Sequence, residues 1–91
     1  MKKIYKYTCN VFNEPFKIPG FIKILSVEEQ NETIVFYVLV DTDSTDERIM
    51  EYEIIGTGHP IKDDIIENFN FIGTIKFQNG ALMFHAFAKV T

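Results

Sequence analysis

The sequence predicts a mostly β fold: a small antiparallel sheet, barrel or sandwich of about five to six strands, with at most one short helix. Three observations predict it. Of 91 residues, 13 are Ile, 6 Val and 7 Thr, and a further 9 Phe and 4 Tyr add aromatic bulk. Only 3 Leu and 3 Ala stand against them. A helix bundle needs the reverse bias, because β-branched and aromatic side chains lose rotamer freedom in a helix but pack well on a pleated surface. The third observation is Asn79-Gly80 between two apolar runs, the pair that supplies both positive φ angles of a type I′ hairpin turn. A chain of this length makes one β-rich domain, residues 1–91, too short for two cores.

The elements follow in order. Ile4–Phe12 reads as the opening strand, with Tyr5, Tyr7, Cys9 and Val11 alternating against Lys6, Thr8 and Asn10. Pro15 and Pro19 confine the next link to an edge or a turn. Gly20–Glu28 and Glu32–Asp41 flank the polar Glu29-Gln30-Asn31 and read as a hairpin. Its second strand, Ile34–Val40, is apolar on both faces and therefore needs cover on both, as a barrel or sandwich centre or a subunit interface. A homo-oligomer is expected on that ground. Asp41–Asp46 reads as a solvated hairpin loop leading into strand Arg48–Ile55, where Met50, Tyr52 and Ile54 oppose Glu51 and Glu53. Pro60–Asn68 is the helix candidate: Pro60 suits a first helical position, and Ile61, Ile65 and Ile66 have helical spacing. In the last hairpin the turn pairs Gln78 with Ala81, Phe77 with Leu82, Ile75 with Phe84 and Thr74 with His85. Phe71, Gly73, Ile75, Phe77, Leu82, Phe84, Ala86 and Ala88 then share the core face.

Composition also excludes. No apolar run reaches the ~20 residues of a membrane span, and Lys6 interrupts any signal-peptide core, so no membrane association is expected. A single cysteine, Cys9, makes no internal disulfide and fits a reducing cytosol. The net charge of −4 is unevenly spread: residues 1–23 carry five lysines against Glu14, while residues 24–67 carry twelve acids against Arg48 and Lys62. An acidic middle argues against binding duplex nucleic acid, which needs a continuous basic face. It would suit a basic protein partner.

One motif suggests chemistry. Gly56-Thr57-Gly58-His59-Pro60 follows a strand, and two glycines can turn consecutive backbone N–H groups into one anion-binding concavity. It lacks the third glycine of the dinucleotide fingerprint and the Gly-Lys-Ser/Thr of a P-loop. His59 and His85 are the only histidines, and neither sits in the His-x-Ser/Thr motif of the paired-histidine phosphoesterases. No residues have zinc-ligand spacing. Asp41, Asp43 and Asp46 fail the calcium-loop pattern, with Asp46 where glycine belongs and Tyr52 where glutamate belongs. Neither serine lies in a nucleophile elbow, so no cofactor, metal or catalytic group is expected.

Several segments together resemble a known family. Ile4-Tyr5-Lys6-Tyr7, Ile18-Pro19-Gly20 through Gln30, Leu39-Val40-Asp41, Gly56-Thr57-Gly58-His59-Pro60-Ile61, Phe71-Ile72-Gly73-Thr74 and Phe84-His85-Ala86-Phe87 occur in the same order. That order is similar to a family of small domains of unknown function, encoded mostly by bacteriophages and prophages and marked by Gly-Thr-Gly-His-Pro. The chain departs from it in having no tryptophan near Phe36-Tyr37 and a longer Lys62–Asn70 link. The resemblance implies a viral protein in a bacterial host cytoplasm. By analogy with other small phage proteins, it would counter host defence. The expected function is non-catalytic binding of a small anionic, nucleotide-like ligand. Gly56, Thr57, Gly58 and His59, with Thr74, His85 and nearby Lys or Arg, would hold it. The alternatives are an inhibitor presenting acidic residues 41–53 to a basic host protein, and a virion or structural part.

Overall fold

The computed structural model describes residues 1–9 and 14–91. Among them the strands are β1 (Lys2–Thr8), β2 (Phe16–Pro19), β3 (Phe21–Gln30), β4 (Thr33–Asp41), β5 (Glu47–Gly56), β6 (Asn70–Phe77) and β7 (Leu82–Val90), with one α-helix, α1 (Asp63–Asn68), and a 3-10 turn at Gln78–Gly80. They form two antiparallel sheets, ordered β1-β4-β3 and β2-β5-β7-β6. Six of the strands answer to the six expected from the sequence. The seventh, β2, is the proline-bounded link, and it takes the sheet edge that Pro19 permits. The first expected strand begins earlier, at Lys2, and its last residues, Asn10 to Phe12, lie outside the described residues.

The core lies between the sheets. Phe36, Val38 and Val40 of β4 meet Ile18, Met50, Tyr52, Ile75, Ala86 and Ala88 of the larger sheet. Phe36 and Tyr52 touch across the layer, ring centroids 5.8 Å apart, and Tyr7, Phe16 and Tyr52 continue an aromatic row. Gly73 allows the close approach at one side: a Cβ there would stand 3.1 Å from Val27 Cγ1 of β3. Alternation decides which residues enter this core, as it should when one face of each sheet is dry.

The chain changes sheets between β1 and β2, β2 and β3, and β4 and β5. The loop Asp41–Asp46 is therefore a crossing between sheets and not the hairpin loop the sequence suggested. Its ends are tied at Gly20, which accepts from Asp41 N–H (2.8 Å) and donates to Asp46 O (2.7 Å). Gly20 has φ +66°, and a Cβ would lie 2.1 Å from Asp41 O, so only glycine fits this corner. The loop carboxylates face the chain start: Met1 ammonium contacts Asp41 and Asp43, and Thr42 donates twice to Met1 O.

Both hairpins keep their expected partners with local corrections. In the β3–β4 hairpin the turn is the two residues Asn31 and Glu32, both at positive φ, and Gln30 pairs with Thr33. In the last hairpin Phe77↔Leu82, Ile75↔Phe84 and Thr74↔His85 pair as read from Asn79-Gly80, whose φ values are +55° and +93°. Gln78 and Ala81 stay out of the ladder, because Gln78 also takes positive φ and Ala81 is αR. A bulge at Ile72, between Phe71↔Phe87 and Gly73↔Ala86, shifts the alternation. Ile72 consequently packs on the core, and Phe71, placed there by simple alternation, is 57% exposed on the outer face.

The helix starts at Asp63, three residues later than expected. Lys62 is extended (φ −71°, ψ 144°), so Pro60 and Ile61 belong to the preceding loop. Of the three isoleucines, Ile65 is buried and Ile66 exposed. This segment has a topological duty. β5 and β6 flank β7 and both run antiparallel to it, so residues 57–69 must cross over β7. They cross on the outer face, where Phe69 lies under Lys89 Nζ at 5.9 Å.

Candidate functional site

Where β5 ends, the crossover leaves a cleft of about 250 Å³, open to solvent, on the outer face of the larger sheet. Ile55, Gly56, Thr57, Gly58, His59, Ile61, His85 and Phe87 line it. Five of the six residues singled out in the sequence are thus brought together. The sixth, Thr74, does not line the cleft; it reaches His85 from β6 behind it.

His85 is held at both ring nitrogens. Nε2 meets Thr57 Oγ1 at 2.7 Å, and Nδ1 meets Thr74 Oγ1 at 3.1 Å. Thr57 Oγ1 also donates to Met83 O at 3.4 Å. One donor chain satisfies every group: Thr74 O–H to Nδ1, Nε2–H to Thr57 Oγ1, and Thr57 O–H to the Met83 carbonyl. The tautomer is thereby assigned as Nε2–H. The ladder pair Thr74↔His85 explains half of this arrangement, and the turn after β5 brings Thr57 over the other nitrogen.

His59 is held differently. Its N–H donates to Gly56 O at 3.1 Å, closing the turn, and its ring lies over Gly56. A Cβ on Gly56 would stand 3.0 Å from His59 Nδ1, so this glycine makes room for the imidazole. Gly58 has φ +84° and open space where a side chain would project. The nest of consecutive amides is not formed. Thr57 N–H donates to Met83 O (3.2 Å) and His59 N–H to Gly56 O, so these two loop amides are bonded within the fold. No Lys or Arg lines it among the described residues.

Ile55, Ile61 and Phe87 were not singled out from the sequence. Alternation already placed Phe87 on the face of His85, and the β5–β7 register adds Ile55 opposite His85. Ile61 becomes a wall only through the crossover, which no local pattern announces.

The remaining chemistry is subdued. Among the described residues no group of three or more His, Cys, Asp or Glu could hold a metal ion. Burial pushes the Cys9 thiol up to about 12, against a lowering hydrogen bond from Tyr52. Asp41 is held below the usual carboxylate range, first by Asp43 N–H and then by the Met1 ammonium, which is itself raised chiefly by Asp43. No described helix is long and apolar enough to cross a membrane.

These features define a small two-sheet β domain with a shallow, histidine-bearing cleft. The chain belongs to the family described as Domain of unknown function (DUF7352), whose model matches residues 1–91. No curated protein and no solved structure matches it.

Proposed function

We propose that this chain is a non-catalytic binding domain whose cleft takes a small, flat, anionic ligand of the nucleotide type. The observation that carries the reading is the convergence of two imidazoles, at His59 and His85, on a cleft with apolar walls. Phe87, Ile55 and Ile61 offer a surface for a nucleobase, and the His59 imidazole offers a donor for a phosphate. The volume lies below the ~300–1,000 Å³ of drug-sized pockets, which suits a mononucleotide or one half of a cyclic dinucleotide. The resemblance to phage-encoded domains supports a setting in a bacterial cytoplasm and a role in sequestering a host defence signal.

The acidic alternative has less support. Within residues 41–53, Asp41 and Asp43 contact the Met1 ammonium, Asp46 approaches Arg48 at 3.8 Å, and Glu51 approaches Lys89 at 3.9 Å. Much of that charge is already answered inside the chain.

A thermal-shift screen of nucleoside monophosphates and cyclic nucleotides tests the reading, since a ligand that binds only the native state raises its melting temperature. His59→Ala is expected to weaken binding by about 1–3 kcal/mol with little loss of stability, because that ring only overlies Gly56. His85→Ala is expected to lose binding and also about 1–2 kcal/mol of stability, having two hydroxyl partners to abandon. A wild-type protein that responds to no member of the panel overturns the proposal.

A further inference from the structure

The turn that joins β6 to β7 holds one amide that differs chemically from the others. Of the six asparagines, Asn79 alone precedes a glycine. The rest precede Val11, Glu14, Glu32, Phe69 and Phe71, where a side chain hinders attack by the following backbone nitrogen. Gly80 imposes no such hindrance, and a Cβ built there would meet nothing within 4 Å. Asn79 and Gly80 are both exposed, so water reaches the carboxamide and the backbone beside it.

The native turn nevertheless keeps the two groups apart. A five-membered succinimide ring closes only when Asn79 Cβ and the Gly80 nitrogen are eclipsed about the Cα–C bond. Asn79 sits at φ 55° and ψ 32°, which sets those two atoms nearly anti. Its neighbours hold it there: Gly80 has φ +93°, and Ala81 N–H closes the turn on Gln78 O at 3.1 Å. Behind the turn, Phe77 pairs with Leu82 and packs edge-on against Phe84. Yet Gln78 is also left-handed, at φ 50°, without a glycine's freedom. That strain lowers the cost of opening the tip.

We propose that Asn79 is a modification site gated by this turn, converting to isoaspartate and aspartate when the turn opens. In the open form the Gly80 nitrogen loses its proton and bonds Asn79 Cγ. The Cγ–N bond of the carboxamide breaks, and ammonia leaves with that proton. Water then opens the ring on one of two sides. Cleavage at Cγ gives aspartate on an unchanged backbone, whereas cleavage at the main-chain carbonyl carbon gives isoaspartate. One water enters, one ammonia leaves, and nothing is oxidised or reduced. The two products differ in their effect on the fold. Aspartate tolerates the left-handed region, so the turn re-forms. Isoaspartate routes the chain through its side-chain methylene, which lengthens the loop between Phe77 and Leu82 and breaks its geometry.

Incubation of the whole protein at mildly alkaline pH, native and in urea, tests this by peptide mapping with mass spectrometry. In urea, Asn79 should deamidate ahead of every other asparagine. In native protein the same conversion should be about tenfold or more slower, because only the opened turn reacts. The aged protein is then separated into its aspartyl and isoaspartyl forms. The aspartyl form should melt with the Asn79→Asp variant and close to wild type, and the isoaspartyl form should melt lower than both. Equal rates in native protein and urea overturn the gate. Faster reaction at another asparagine overturns the site. An isoaspartyl form as stable as the aspartyl one overturns the consequence for the fold.

Discussion

His85 is the residue whose surroundings say most about this molecule. Placed mid-strand on the outer face, it gives each ring nitrogen a threonine hydroxyl, one from β6 and one from the turn after β5. The Thr74 contact was legible in the sequence, because the Asn79-Gly80 register sets those two residues opposite one another. The Thr57 contact was not, since Thr57 and His85 stand far apart in the chain and their meeting depends on how β5 ends. The glycines were read for the right property and partly for the wrong purpose: Gly56 clears space for a ring, and the Thr57 and His59 amides bond within the fold. Cys9 completes this scale. Its thiol is raised by burial from 9.0 to about 12, so at pH 8 the native protein holds about a thousandfold less thiolate than that ordinary value would give. Alkylation by iodoacetamide should therefore be at least about tenfold slower in native protein than in urea. Equal rates would show that the thiol is not desolvated.

Among the elements, the hairpin β6–β7 carries the sharpest expectation. Phe84 pairs with Ile75 and packs edge-on against Phe77, ring centroids 5.4 Å apart, on the core side. Phe84→Ala should destabilise by about 3–5 kcal/mol, and Met83→Ala, pointing the other way, by distinctly less. Urea denaturation of both variants checks it; equal losses would mean that the hairpin has slipped by one residue. This hairpin was readable because the turn residues and the period-2 pattern agree over most of its length. The reading failed where a backbone event intervened. The bulge at Ile72 exchanges Ile72 and Phe71 between faces, and nothing in the side chains announces an extra residue in a ladder. The helix start failed for a related reason: Pro60 fits a first helical position equally well as a loop position, and the extended Lys62 decides between them. Long-range order was beyond local pattern altogether. That Asp41–Asp46 spans two sheets, and that residues 57–69 cross over β7, are consequences of pairing between distant strands.

As a whole molecule the chain is two sheets sharing one core, with the crossover of residues 57–69 on the outer face of the larger. β4 supplies the inner face of the smaller sheet, while Met50, Tyr52, Ile75, Ala86 and Ala88 supply most of the other. Repeated crossings between sheets weave them into one cooperative unit, so the smaller sheet cannot unfold and leave the larger intact. Phe36 is the place to test this, being fully buried and in ring contact with Tyr52 across the layer. Truncation to alanine should remove about 3–5 kcal/mol, a large share of the ~5–15 kcal/mol that small domains possess. At ~4–8 °C per kcal/mol for a domain of this size, the melting temperature should fall by about 12–40 °C. The loss should be shared: tyrosine fluorescence, which includes Tyr52 of the larger sheet, and far-ultraviolet circular dichroism should follow one coincident transition in wild-type protein and in Phe36→Ala. Two separated transitions in the variant, with the larger sheet melting near the wild-type temperature, would show that the sheets are independent and that their common core is not what holds the fold together.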